Sequence, residues 1–477
     1  MVTFFLCLAA LIAAYFLSGA LLDRVVGIDS KADVPSKTHY DGVDYIPLPR
    51  WRIFLIQLLN IAGTGPIFGA ILGACYGPVA FLWITLGGIF MGAMHDYIAG
   101  VISLRNGGKS LPETIGKYLG GGMRKFSLVM IPILMVLVGG VFIVTPSKIL
   151  TSMTDIPYLW WVAIVIVYYF IATIMPVDKI IGKIYPLFGA ALILMALGMF
   201  GVILVGDYEV PELTSIGNMH YNAEALPIIP TLFISIACGA ISGFHATQSP
   251  LMARCMTNEK QARPIFFGAM ISESIIALVW AAIAMAFFHG VDGLNIWMQE
   301  NGNDAGLAVS TISVATLGTL GSILALLGVV AAPITSGDTA FRSARLIVAD
   351  MLNYDQKPVI NRLIVSLPLF AIGVGIAFID FDIIWRYFAW SNQALSVITL
   401  WMITSWLMRR GSKWSLLALI PAIFMTYICS SFVFVSNQFI GLGACDAAYI
   451  YGGATTAIIA GGMMLLIKRG IRNGGEI

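Results

Sequence analysis

The stretches NIAGTGPIFG (Asn60–Gly69) and ACGAISGFHATQ (Ala237–Gln248) decide how this chain is read. Each interrupts, with glycine and small polar residues, an apolar run long enough to cross a bilayer. A membrane helix satisfies its backbone internally, so an interruption leaves amide and carbonyl groups that protein, water or a solute must satisfy. Glycine permits unusual backbone angles and Pro66 has no amide hydrogen, so unwinding is predicted across Gly63–Pro66. Two such breaks at corresponding places in two halves of a chain point to a secondary transporter.

The surrounding composition agrees. Of 477 residues, 59% are hydrophobic and 11% charged, against roughly 25% charged in soluble domains. The expected fold is an all-α polytopic membrane protein. Runs of about 20 apolar residues predict about thirteen transmembrane segments, near 2–22, 53–78, 79–103, 125–146, 156–176, 180–205, 226–248, 263–288, 310–337, 359–379, 382–408, 414–436 and 446–467.

Lys and Arg are retained on the cytoplasmic side, and here every second connection is basic. Arg24 to Arg52, Arg105 to Lys125, Arg254 to Arg263, Arg342 to Arg362, Arg409 to Lys413 and the tail from Lys468 carry most of the 27 basic residues. The alternate connections carry acids, among them Asp207, Glu212, Asp292 and Asp304. This predicts an outside amino terminus and a cytoplasmic carboxyl terminus, with the first segment acting as a reverse signal anchor. The net charge of +2 follows from topology and gives no support to nucleic acid binding. Six scattered cysteines and five histidines form no metal-ligand spacing and no HExxH array. A Cys75–Cys445 disulfide is one open pairing.

The breaks fall in segments 2 and 7, five apart. An odd repeat length reverses direction, so segments 2–6 and 7–11 are predicted to form two inverted five-helix repeats. The organisation is then a first helix and cytoplasmic loop (1–52), repeat one (53–205), repeat two (226–408) and two accessory helices with a tail (414–477). Segment 4 ends in VTPSK (Val144–Lys148) and segment 9 in APITSGD (Ala332–Asp338) on this reading. The loop after segment 1 reads as a surface segment, and Ser110 with Glu113 has capping-box spacing for a short helix after segment 3.

Candidate site residues follow from these positions. At the first break, Asn60, Gly63, Thr64 and Gly65 are expected to meet substrate, and the carbonyls of Ile61 and Ala62 could bind a cation; a proline kink is the alternative. Gly65, Gly69, Gly73 and Gly77 also form a small-residue ladder for helix contact. At the second break the candidates are Gly239, Ser242, Gly243 and His245, whose imidazole could bond a substrate carboxylate, pass a proton, or simply bond a neighbouring carbonyl. In segment 9, Ala332, Thr335 and Ser336 share one helical face and, with Ile61 and Ala62, offer oxygens suited to sodium; close helix packing is the alternative. Ionisable residues within spans are functional candidates: Asp96 beside His95 and Glu273 for a coupling proton, Lys148 and Arg386 for a substrate anion. Lys183 could replace sodium with its own ammonium, and Asp338 with Arg342 and Arg345 could form a gate or an end-of-helix charge cluster.

These motifs resemble the carbon starvation protein A family. The matching stretches are Asn60–Gly73, Gly87–Gly116, Ile234–Pro250, Met252–Ser274, Ile334–Leu352 and Trp385–Leu395, in the family's order. The resemblance implies a peptide or pyruvate transporter with the LeuT-type five-plus-five inverted repeat. It also implies that Thr335 and Ser336 match the hydroxyl pair of an inner sodium site, and that the two breaks bind substrate. Longer members carry carboxyl-terminal segments not found here. The expected function is an ion-coupled symporter in the cytoplasmic membrane, importing a short peptide or pyruvate-like carboxylate during carbon starvation. An exchanger, a uniporter and a channel-like pore stand as alternatives. No enzyme chemistry and no cofactor is expected beyond sodium or a proton as coupling ion; the partners are a small solute and the bilayer, with oligomeric state open.

Overall fold

The computed structural model describes residues 1–472 except 43, 175–176, 357 and 380, with side chains described except at 152–153, 173–184, 322, 325–326 and 381–382. Among the described residues every regular element is helical. Helix α1 (Val2–Val26) closes on Gly27 in left-handed backbone. Helices α2 (Arg50–Ile61) and α3 (Gly65–Ala74) form one run bent by 47° at the break. Helix α4 (Val79–Arg105) is π-helical over Trp83–Gly92. A short helix, Leu111–Leu119, then opens on the expected capping box, Ser110 N donating to Glu113 Oε2 at 3.1 Å.

Next come α5 (Gly121–Met153), α6 (Tyr158–Ile174) and α7 (Val177–Val205). The second broken run is α8 (228–235) and α9 (Gly243–Ala253), followed by α10 (Glu259–Phe287), π-helical at Arg263–Phe267. Helices α11 (Val291–Glu300), α12 (Ala305–Ala325), α13 (Ala331–Leu352), α14 (Val359–Ile376), α15 (Phe381–Arg409), α16 (Leu416–Val435) and α17 (Asp446–Arg472) complete the chain. Eight of the described helices are long and apolar enough to cross a membrane, or nine with α2 and α3 as one span. The protein is therefore a multi-pass membrane protein.

Burial separates centre from rim. The apolar windows of α4, α5 and α10 are 78%, 72% and 83% buried, whereas those of α1, α14 and α17 are 28%, 33% and 22% buried. Both breaks sit among the central helices. The ladder glycines bring them together: a methyl group on Gly65, Gly69 or Gly73 would collide with Cys238, the Ser235 carbonyl or Ile236, respectively. Only glycine lets α3 approach the second broken run this closely.

Basic connections gather at one end. There Arg105 Nε meets Glu259 at 2.6 Å, Arg105 and Arg410 donate to the Val26 carbonyl, and Arg263 meets Asp23 at 3.3 Å. At the other end Met1 pairs with Glu212, and Asn295 donates to the carbonyls of Cys75 and Met219.

VTPSK is not a helix end, since α5 continues to Met153, and APITSGD is not one either, since α13 runs to Leu352. The predicted segment 310–337 is also not one unbroken helix, because Gly318, with φ 57°, breaks α12. Polar residues at this position read as a boundary, but Asp338, Arg342 and Arg345 are buried and bonded inside the bundle. The loop after α1 is not purely surface: Val34, Pro35 and Ser36 are buried, and Ser36 Oγ donates to the Met256 carbonyl. Cys75 is buried and Cys445 exposed, both free.

Candidate functional site

The first break is short. Ala62 leaves helical geometry at φ −86°, ψ 45°, and α3 restarts after Thr64. Asn60 and Thr64 are fully buried, and their amide and hydroxyl find no partner among the described residues. Gln57, one turn earlier, is in the same condition. Buried polar groups normally pair, so these three side chains, without partners among the described residues, have donors and acceptors to offer a polar guest. Gly63 lies under the Phe142 ring, where a methyl group would stand 2.9 Å from it.

The second break is longer, from Ile236 at ψ 67° to Ser242 in extended backbone. Side chains from neighbouring helices bind its freed backbone groups. Gln393 Nε2 donates to the carbonyls of Ala237 and Ile241 at 3.2 and 3.1 Å, and Trp83 Nε1 to that of Ile236 at 3.3 Å. Asn392 Oδ1 accepts from Phe244 N at 2.7 Å, and its amide lies 3.0 Å from Ser242 Oγ. Gly239 packs on Ala277 and Gly243 on the α15 backbone at Asn392 and Ser396. Asn392 and Gln393 received no role from sequence. Their signal was two adjacent amides inside an apolar span, just as Gln57, Asn60 and Thr64 recur at helical spacing in the sequence.

His245 bonds neither a neighbouring carbonyl nor open space. Its Nδ1 lies 2.8 Å from Asp96 Oδ2, while His95 Nδ1 lies 2.8 Å from Asp96 Oδ1. His245 Nε2 faces Glu273 Oε2 at 3.4 Å. All four side chains have zero exposure. Helices α4, α9 and α10 thus join residues 95, 96, 245 and 273, which the sequence offered separately. Cys238 Sγ, His245 and Glu273 present a sulfur, a nitrogen and an oxygen within 4.8 Å of one another. The thiol already engages Ser242 and Asn392 at 3.7 Å, so the group reads as a hydrogen-bonded cluster.

The α13 face reaches the first break. Ser336 Oγ donates to the Leu59 carbonyl at 3.1 Å, two residues before the expected Ile61, and Thr335 Oγ1 donates to Ala332 O at 2.8 Å. Each hydroxyl oxygen keeps its acceptor lone pairs. Asp338 does not form an ion pair with the arginines: Tyr185 donates to its Oδ2 at 2.9 Å, while Arg342 donates to Ala172 O and Arg345 to Gln356. The side chain of Lys183 lies outside the described residues.

On the α3 side of the breaks, Phe68 and Trp385 face each other at 6.2 Å, and Phe142 meets Phe244 and Phe388 at 6.4 and 6.5 Å. Two cavities flank this aromatic group. One of about 170 Å³ is lined by Phe68, Thr145, Lys148 and Asp304. The other, about 190 Å³, is lined by Tyr76, His220, Thr231, Trp385 and Arg386. In the loop beside it, burial and the Arg386 guanidinium push His220 down to about 4.

Comparison with known proteins agrees with this architecture. The chain is 41% identical over 345 residues to an uncharacterized membrane protein of Haemophilus influenzae, covering 62% of this chain and 93% of the relative. It is 26% identical to the peptide transporter CstA of Campylobacter jejuni over 79% of this chain and 60% of that one. With the pyruvate/proton symporter BtsT of Escherichia coli it shares 24% identity over 65% of this chain and 51% of that protein. The chain thus spans about half to three fifths of these two transporters. A crystal structure of a manganese transporter from Eremococcus coleocola shares the fold, with TM-score 0.55 at 13% identity over 91% of this chain and 99% of the other. The profile of the carbon starvation protein CstA family matches residues 1–159, 144–318 and 304–431, and the chain belongs to that family.

Proposed function

We propose that this protein is a secondary transporter that imports a small carboxylate-bearing solute, a short peptide or pyruvate, across the cytoplasmic membrane by alternating access. One observation carries the reading: two unwound segments from separate parts of the chain touch at Gly65 and Cys238, beside buried Asn60 and Thr64, which have no partners among the described residues. Substrate sits between Asn60–Gly65 and the second break, residues 239–245. The positive dipole end at the start of α3, where Gly65 carries the first amide, suits a carboxylate. The names of the relatives support both solute classes.

About thirteen crossings, with the amino terminus outside, are part of the same reading. So is the LeuT-type pairing of residues 53–205 with 226–408. Two observations support the pairing: α4 and α10, second in each repeat, are both π-helical near their starts, and each brings a buried acid to His245. Coupling is to sodium, at Ile61, Ala62, Ala332, Thr335 and Ser336, or to a proton. Lys148 and Arg386 in the outer cavities draw the anion inward.

The test is counterflow in proteoliposomes preloaded with unlabelled pyruvate or dialanine. Transient uptake of the labelled solute is expected, with a raised half-saturation concentration in Asn60→Ala and Thr64→Ala. Uptake rising linearly with concentration and without counterflow would make the protein a pore.

A further inference from the structure

We propose that the His245–Glu273 pair is the site of the coupling proton, with Asp96 and His95 as its fixed support. This rests on the transport reading above and selects the ion. The argument is one of counting protons. Asp96 uses both oxygens, one toward each histidine Nδ1 at 2.8 Å. A carboxylate only accepts, so both Nδ1 atoms carry the hydrogen. Neutral His245 then presents a bare Nε2 lone pair, and that atom faces Glu273 Oε2 at 3.4 Å. A lone pair aimed at a carboxylate in a site with no exposed surface is strongly unfavourable. One proton between the two atoms removes the conflict, either as imidazolium and carboxylate or as imidazole and carboxylic acid.

Asp96 is thereby excluded as the carrier, because both its oxygens are occupied by fixed donors. Glu273 has no hydrogen-bond partner at either oxygen among the described residues, which leaves it free to gain and lose one. The titratable groups facing the pair are Asp96 and His95 from α4 and Cys238 from the second break, and Cys238 is engaged with Ser242 and Asn392. On α10 itself, Arg263 lies about three turns away and meets Asp23 of α1, which also accepts from Tyr97 of α4 at 2.6 Å.

The location couples the proton to transport. His245 is the third residue of α9, immediately after the unwound segment, and Phe244 next to it is tied to Asn392. Glu273 belongs to the centrally packed α10. Any rearrangement of the break on binding substrate moves Nε2 toward or away from Oε2. A proton taken from outside water bridges the pair, and separating the pair releases it to the cytoplasm. No bond other than those to the proton changes.

The experiment uses the full chain in proteoliposomes with labelled pyruvate and dialanine as probes and a trapped pH-sensitive dye. In the wild type, external acid drives solute above its equilibrium level with matching proton entry, and a sodium gradient does not. In Glu273→Gln, accumulation falls to equilibrium, proton entry disappears and the counterflow that remains loses its pH dependence. Asp96→Asn displaces the pH profile rather than abolishing it. Accumulation by Glu273→Gln equal to wild type overturns the proposal. So does wild-type accumulation on sodium without proton entry, a result that needs no variant. Absence of wild-type counterflow for both probes overturns the transport reading itself and the proposal with it.

Discussion

Placing a methyl group on Gly65 probes the contact that makes two breaks into one site. In Gly65→Ala the new Cβ would stand 2.3 Å from Cys238 Sγ and 2.4 Å from Cys238 Cβ, where carbon atoms prefer about 3.5–4.0 Å. Helix propensity alone favours alanine by about 1 kcal/mol. Overpacking costs roughly 1–3 kcal/mol and occasionally more. The steric effect wins because Cys238 Cβ cannot swing aside without moving backbone. With contacts this short the cost falls at the upper end, about 3 kcal/mol, and a net loss of about 2 kcal/mol reduces the correctly closed site roughly 30-fold. Thermal melting of purified protein and initial counterflow rates in proteoliposomes read the effect: a lower Tm and at least about a tenfold slower rate are expected. Adding Cys238→Gly removes both clashing atoms, so Gly65→Ala is expected to cost little in that background. A Gly65→Ala protein matching wild type in Tm and rate would refute the contact.

Further outcomes follow from other contacts. Asn392→Ala leaves the Phe244 amide, now bonded at 2.7 Å, without an acceptor; a loss of about 1–3 kcal/mol lowers Tm and slows counterflow, and no change in either would contradict its supporting role. Thr335→Ala with Ser336→Ala frees α13 from the Leu59 carbonyl, so the rate falls while the response to a proton gradient persists; sodium stimulation in wild type that vanishes in this variant would instead assign the ion to that face. His220 titrates at about 4 in the folded protein against 6.5 ordinarily. Below about pH 6.5 the unfolded chain binds a proton that the folded one refuses, so stability falls on acidification. His220→Gln therefore loses less Tm than wild type between neutral pH and about pH 5, and an equal loss in both proteins would count against it.

Much of the architecture was legible because hydropathy and loop charge are local signals. The two breaks were readable from glycine and proline, and the helix at Leu111–Leu119 from the spacing of Ser110 and Glu113. What escaped was set by tertiary contact. The chain through Asp338, Arg342 and Arg345 looked like a helix end because charges are usually expelled from spans, yet Tyr185 and the Ala172 carbonyl satisfy two of them inside. His245 could not be assigned a partner from its own neighbours, since Asp96 is 149 residues away in sequence. The amides of Asn392 and Gln393 were visible as letters, but their role needs the unwound carbonyls and amide they reach.

The most direct measurement is a cryo-electron microscopy structure of the full chain in a lipid nanodisc with saturating pyruvate or dialanine. The account predicts density touching Asn60 and Thr64 on one side and the unwound backbone at 239–243 on the other, with Phe68 and Trp385 closed above it. Solute density confined to the outer cavities or the lipid-facing surface, with the breaks bare, would contradict it.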